Sequence, residues 1–173
     1  MRYEVLEHPA ELRICVYGKT LEELFSNAAF ALAEILKGDM NYTDEQKDVQ
    51  KVYHERSRRE IIKIESVDIN SLLVDFLSEV LAKSQINKCM YEVAKIKINC
   101  HPERSEAELR DLSKNNDEIP RYARNDNEKC FLQAELISHS IDKFDEDIKA
   151  VTYEDLDIKK IDGIWQTMIV FDI

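Results

Sequence analysis

Two short segments concentrate the residues whose types could do chemistry. The first is Glu7-His8-Pro9-Ala10-Glu11, a polar turn between two strand-like stretches near the N-terminus. The second is Phe171-Asp172-Ile173, where an aspartate side chain neighbours a terminal carboxylate. Adjacent anions at a strand end repel each other unless something positive or water attends them. From the residues alone three answers stay open: plain solvent, a lysine, or a hard cation. Oxygen donors of this kind suit Ca²⁺ or Mg²⁺ rather than zinc. His8 reads as a turn histidine bonded to backbone.

The thiols offer less. Cys15, Cys89, Cys100 and Cys130 form no C-x-x-C pair, and a cytosolic chain keeps thiols reduced, so four free thiols are expected. A zinc site from Cys89, Cys100, His101 and Cys130 is the alternative. It is set aside because the adjacent Cys100 and His101 cannot easily share one tetrahedral ion.

Composition narrows the function classes. A net charge of −11 is the reverse of a nucleic-acid binder's electrostatic footprint, so no direct nucleic-acid binding is expected. A basic protein partner or a cation is the natural ligand of such a surface. No apolar run approaches the roughly 20 residues that span a bilayer. Met1-Arg2-Tyr3-Glu4 has neither the charged head nor the apolar stretch of a signal peptide, and a cytoplasmic protein is expected. The 173 residues, 44% of them apolar, suit a single domain over 1–173.

These segments need a scaffold, and the sequence supplies one. Tyr3–Leu6 and Leu12–Tyr17 read as strands around the His8-Pro9-Ala10 turn. Thr20 and Glu23 then form a capping box. Leu21, Leu24, Phe25, Ala28, Leu32, Ile35 and Leu36 follow at helical spacing, and Gly38 supplies the stop. Residues 39–58 read as a charged surface connection, with Thr43–Gln46 able to cap a short helix. Glu60–Ser66 is a β-branched strand, and Asp68 caps a second helix with the stripe Ile69, Leu72, Leu73, Phe76, Leu77, Val80 and Leu81.

Tyr91–Asn99 predicts a long antiparallel strand, with Phe131–Ser138 as its partner. Between them, residues 101–129 hold two of the three prolines and little apolar content, a surface insertion in place of a hairpin turn. Partial disorder or a short helix over Glu106–Leu112 is expected there. Its opening His-Pro-Glu-Arg-Ser-Glu and closing Arg-Tyr-Ala-Arg-Asn-Asp resemble the translated ends of palindromic repeat elements found in some bacterial genomes. The chain closes with Lys149–Tyr153, Leu156–Ile161 and Ile164–Ile173, the last two joined at the Asp162-Gly163 turn. The order predicts an α+β fold: an antiparallel sheet with two helices packed on one face.

Several motifs, in order, resemble the archease family. Tyr3 to Glu11, then Tyr17-Gly18-Lys19-Thr20-Leu21-Glu22-Glu23, are similar to its opening, Y-x-x-x-x-H-T-A-D followed by Y/W-G-x-T-L-E-E. Leu72-Leu73-Val74-Asp75-Phe76-Leu77-Ser78-Glu79 resembles its L-L-V-x-W-L-x-E-L helix. Ile148-Lys149-Ala150-Val151-Thr152-Tyr153 resembles its V-K-A-V-T-Y strand, and Ile169-Val170-Phe171-Asp172-Ile173 its I-x-x-D-V/I ending.

The resemblance implies an archease-like sandwich and an accessory role, not catalysis. It implies activation of an RtcB-type RNA ligase, by promoting guanylylation and repeated turnover in tRNA splicing or RNA repair. It also implies a divalent cation, Ca²⁺ first and Mg²⁺ or Mn²⁺ otherwise, held by Glu11, Asp172 and the terminal carboxylate of Ile173. Lys149 is a further functional residue by the same match.

This chain departs from the pattern at Pro9 for threonine and Glu11 for aspartate, a carboxylate one methylene further out. Leu12-Arg13 replaces a glycine-bearing stretch, Glu154 stands where many members have histidine, and the loop before Lys149 is shortened. Two other readings use the same residues. One is a metal-dependent hydrolase with Glu11 and Asp172 as ligands, and the other a metal-free protein-interaction module of the same fold.

Overall fold

The fold comes from a computed structural model, which describes residues 1–6, 11–38, 57–100, 129–141 and 143–173. The turn around His8, the helix start at Thr43 and the helix expected within 101–129 lie outside those residues.

The chain order is β1 (Tyr3–Leu6), β2 (Leu12–Gly18), α1 (Leu21–Lys37), β3 (Arg58–Ser66), α2 (Ile69–Asn87), β4 (Cys89–Cys100), β5 (Cys130–Ser140), β6 (Ala150–Thr152), β7 (Lys159–Ile161) and β8 (Ile164–Asp172). The α+β class, the two helices and the antiparallel pairing follow the sequence reading. The strands, however, divide between two sheets instead of forming one. β1-β2-β8-β6 make the first, with β7 also on β8, and β3-β5-β4 make the second. The alternation that marks a strand says which residues share a face, not which strand lies alongside.

Both helices start where local chemistry dictates. Thr20 Oγ1 accepts from the Glu23 amide at 3.1 Å, and Glu23 Oε2 accepts from the Lys19 amide at 2.8 Å. Two orphan amides are thereby satisfied. At the far end Gly38 adopts φ 73°, and its amide donates to Ile35 O at 2.9 Å. Asp68 Oδ1 accepts from the Ser71 amide at 2.7 Å, fixing the start of α2. The stop of α2 falls on Lys88, in the left-handed region at φ 51° without the freedom of glycine.

The helices are what joins the sheets. α1 packs on β2 of the first sheet and β4 of the second, while α2 packs on β6 of the first and β3, β4 and β5 of the second. One apolar cluster results, with Phe25, Leu32, Leu73, Phe76, Ile169, Phe171 and Leu136 all fully buried. β8 pairs with β2, β6 and β7 in the first sheet, and its alternate residues Thr167, Ile169 and Phe171 are buried. The turn before it, Asp162-Gly163, has positive φ at both residues (49° and 83°), as a two-residue hairpin requires.

β4 and β5 pair across the insertion as expected, from Tyr91↔Ser138 to Asn99↔Phe131, with one register shift between Val93 and Lys95. The same register continues to Cys100↔Cys130 and overturns the expectation of four free thiols. Their Cα atoms lie 4.3 Å apart, and the two sulfurs form a disulfide. A separation of 30 in sequence conceals what the strand pairing makes adjacent. Cys15 and Cys89 remain free thiols.

A candidate functional site at the rim of the first sheet

β2 and β8 pair from Gly18↔Trp165 to Leu12↔Phe171, so the next residues outward are Glu11 and Asp172. On the other side of β8, Ala150 pairs with Asp172. The three strands therefore bring Glu11, Asp172 and the start of β6 to one rim. The sequence-predicted residues meet there, although 161 positions separate Glu11 from Asp172 (172 − 11).

Lys149 is held at this rim by backbone, and its amide donates to Asp172 O at 2.8 Å. The preceding Ile148 is fully buried, and its carbonyl accepts from Gln85 Nε2 of α2 at 2.7 Å. With its main chain anchored on both sides, Lys149 extends Nζ to the Ile173 main-chain oxygen at 3.0 Å. A shallow groove of about 160 Å³ opens beside it, between Ser78, Ala82 and Gln85 of α2 and Lys149 and Val151. Lys149 thus lies at the strand end that carries Asp172 and Ile173.

Glu11 is also engaged. Arg13 donates to Glu11 Oε2 from Nη2 at 3.0 Å and from Nε at 3.3 Å. The same guanidinium reaches Asp155 Oδ2 at 2.9 Å through Nη1 and Glu154 Oε1 at 3.5 Å through Nη2. The Glu11 hydrogen bond, then the charges of Glu11, Asp155 and Glu154, hold the Arg13 pKa above its ordinary value despite opposing desolvation.

Strand geometry explains the reach. Residues i and i+2 share a sheet face, so Arg13 lies on the face of Glu11. Arg13 pairs with Val170, and Val170 pairs with Thr152, which puts the turn at Glu154-Asp155 two strands away on that face. A long side chain spans that distance; a short one would not.

The donor set fits a hard cation in kind, since it is made of oxygens. It does not fit as arranged. Glu11 Oε2 carries the guanidinium and the Ile173 oxygen the ammonium, so a divalent ion there would share both groups with a resident cation. Among the described residues, no group of three or more His, Cys, Asp or Glu side chains converges to hold a metal.

The reading from sequence did not include Asp155, nor the contact of Arg13 with it. The face shared by Glu11 and Arg13 was legible as an i, i+2 pair. The partnership with Glu154 and Asp155 spans 141 and 142 positions and left no local signal.

Two helices packed between antiparallel sheets, with Glu11, Lys149 and Asp172 brought to one rim, define an α+β domain. Residues 3–173 match the Archease protein family (MTH1598/TM1083), and the chain belongs to that family. It is 31% identical over 172 residues to the protein archease of Methanosarcina mazei, covering 99% of this chain and 96% of that one. The protein archease of Pyrococcus abyssi is also 31% identical, over 177 residues, with 99% of each chain covered. The solution structure of Methanobacterium thermoautotrophicum protein 1598 superposes with a TM-score of 0.67 at 23% identity, covering 99% of each chain, which supports the fold.

Proposed function

We propose that this protein is an accessory factor that activates an RtcB-type RNA ligase, promoting its guanylylation and repeated turnover in tRNA splicing or RNA repair. The observation that carries the reading is the match to the archease family over residues 3–173, which includes every residue of the rim. The chemistry of the rim agrees with a role toward a protein. Lys149, Asp172 and Ile173 are exposed on ordered strand ends, where a partner can reach them. A net charge of −11 favours a basic surface on that partner over RNA phosphates.

In this reading the acidic rim approaches the ligase active site and helps to position the guanylate. Lys149 has two roles there. It holds Ile173 in place, and it presents a cation at the Asp172–Ile173 corner. The divalent cation implied by the family resemblance, Ca²⁺ or otherwise Mg²⁺ or Mn²⁺, has no part in this reading, because Arg13 already holds Glu11 and Lys149 the Ile173 oxygen.

A metal-free interaction module is the second reading. The engagement of Glu11 by Arg13 favours it.

The test is ligase guanylylation with GTP and divalent metal, with and without this protein, using the ligase of the same organism. Wild type should accelerate it, and Asp172→Ala should abolish the acceleration while leaving the fold intact. No acceleration by folded wild type overturns the proposal. Acceleration that survives Asp172→Ala places the working surface elsewhere.

A further inference from the structure

We infer that Arg13 stands in for a divalent cation at this rim, gathering Glu11, Glu154 and Asp155 from within the chain so that the rim assembles without metal at Glu11. The inference rests on reading the rim as the working end, and it adds what holds that end together.

Three observations carry it. The first is connectivity. Arg13 links the start of β2 to the turn after β6, two segments that lie on opposite sides of β8, and it does so with contacts of 2.9, 3.0 and 3.5 Å. Gathering carboxylates from separate segments is what a bound ion does for an acidic site.

The second is saturation. Nε, Nη1 and Nη2 all donate, and two of them converge on the single oxygen Glu11 Oε2. Both oriented edges of the fork are in use.

The third is exclusion. A divalent ion bound at Glu11 would sit within a hydrogen-bond length or two of a permanent positive charge, and like charges at that distance repel strongly. Both Arg13 bonds to Glu11 fall on Oε2, so an ion on that carboxylate would compete with the guanidinium for the same charge.

The position of Arg13 makes the substitution complete. Its side chain is 22% exposed, against 53% for both Glu154 and Asp155, so the cation is the inner member of the cluster and the anions its outer shell. Val170, opposite Arg13 in the register, is buried at 1% exposure, which makes this end of the sheet a packed surface rather than an open cup.

Calorimetric titration with CaCl₂, together with thermal melts in Ca²⁺ and in EDTA, tests this without a ligase. Failure of the ligase proposal therefore leaves the result readable. Wild type should show no saturable binding and the same melting temperature in both buffers. Arg13→Ala should bind Ca²⁺ saturably, at least about tenfold more tightly than the weakest affinity the titration detects. Its melting temperature should rise with Ca²⁺. Adding Glu11→Gln should remove the gain. Arg13→Gln, closer in shape and without charge, replaces Arg13→Ala if the smaller side chain impairs folding. Wild type binding as tightly as the variant overturns the inference, as does EDTA lowering the wild-type melting temperature. Absence of binding in both proteins overturns it as well, since no cation would then have a place to lose.

Discussion

Two strand pairs run to the edge of their sheets and end there by different chemistry. β2 and β8 finish in charges: Arg13 among three carboxylates, and Lys149 on the Ile173 oxygen. β4 and β5 finish in a covalent bond between Cys100 and Cys130. The charged end can exchange its partners, because each ion pair there is half-open to water and individually weak. The covalent end cannot. A rim that must meet another protein is built from the first kind of contact, and a rim that must hold a long excursion closed is built from the second.

Breaking the covalent end should give the larger loss of stability. Cys100→Ser with Cys130→Ser should lower the unfolding free energy of oxidised protein by about 2–5 kcal/mol. Urea unfolding measures it, and ligase guanylylation should be unaffected if the rim of the first sheet is what acts. Helix capping sets an intermediate scale: Asp68→Ala should cost about 1 kcal/mol by the same urea measurement. It removes the acceptor of the Ser71 amide at 2.7 Å.

The charged end should show the reverse pattern. Asp172→Ala and Lys149→Met should each change stability by no more than about 0.5 kcal/mol. Stimulation of the ligase should fall sharply in both, with circular dichroism confirming an unchanged fold. A Lys149→Met protein that stimulates normally would reduce that lysine to a tether for Ile173.

Alkali sharpens the contrast further. Burial raises the Cys15 and Cys89 thiols above their ordinary value of 9.0. The folded state therefore keeps these protons after the unfolded chain has lost them. Stability is full below the ordinary thiol value and declines as pH climbs from there through the raised values. Arg13 contributes nothing to that decline, because its pKa is raised from a value already above the window. Urea midpoints at pH 8 and 10 should show the decline, and Cys89→Ala should make it shallower.

Much of this architecture was legible in the sequence because it is local. Thr20 with Glu23, Asp68 and Gly38 mark helix ends by chemistry confined to a few residues. The Asp162-Gly163 turn does the same for the last hairpin. The β4–β5 pairing survived an intervening segment because both strands carry their own alternation. What stayed hidden depends on neighbours set by the assembled sheet. The division into two sheets, the Cys100–Cys130 bond and the reach of Arg13 to Asp155 are all of that kind. Glu11, Asp172, Ile173 and Lys149 were named through family resemblance, and strand register supplied the reason they meet. The stop of α2 at Lys88, which lacks the freedom of glycine at φ 51°, is held by backbone on both sides: its amide donates to Ser84 O, and its carbonyl accepts from the Ile141 amide at 3.5 Å.

The Cys100–Cys130 bond also makes the polypeptide a ring with two tails. Residues 101–129 are the part of the chain closed between the two cysteines. A protease that nicks the segment once would leave one molecule on a gel without reductant and two fragments with it. Sequence can be gained, lost or rewritten inside such a ring at small cost in loop closure while the bond keeps the two strand ends together.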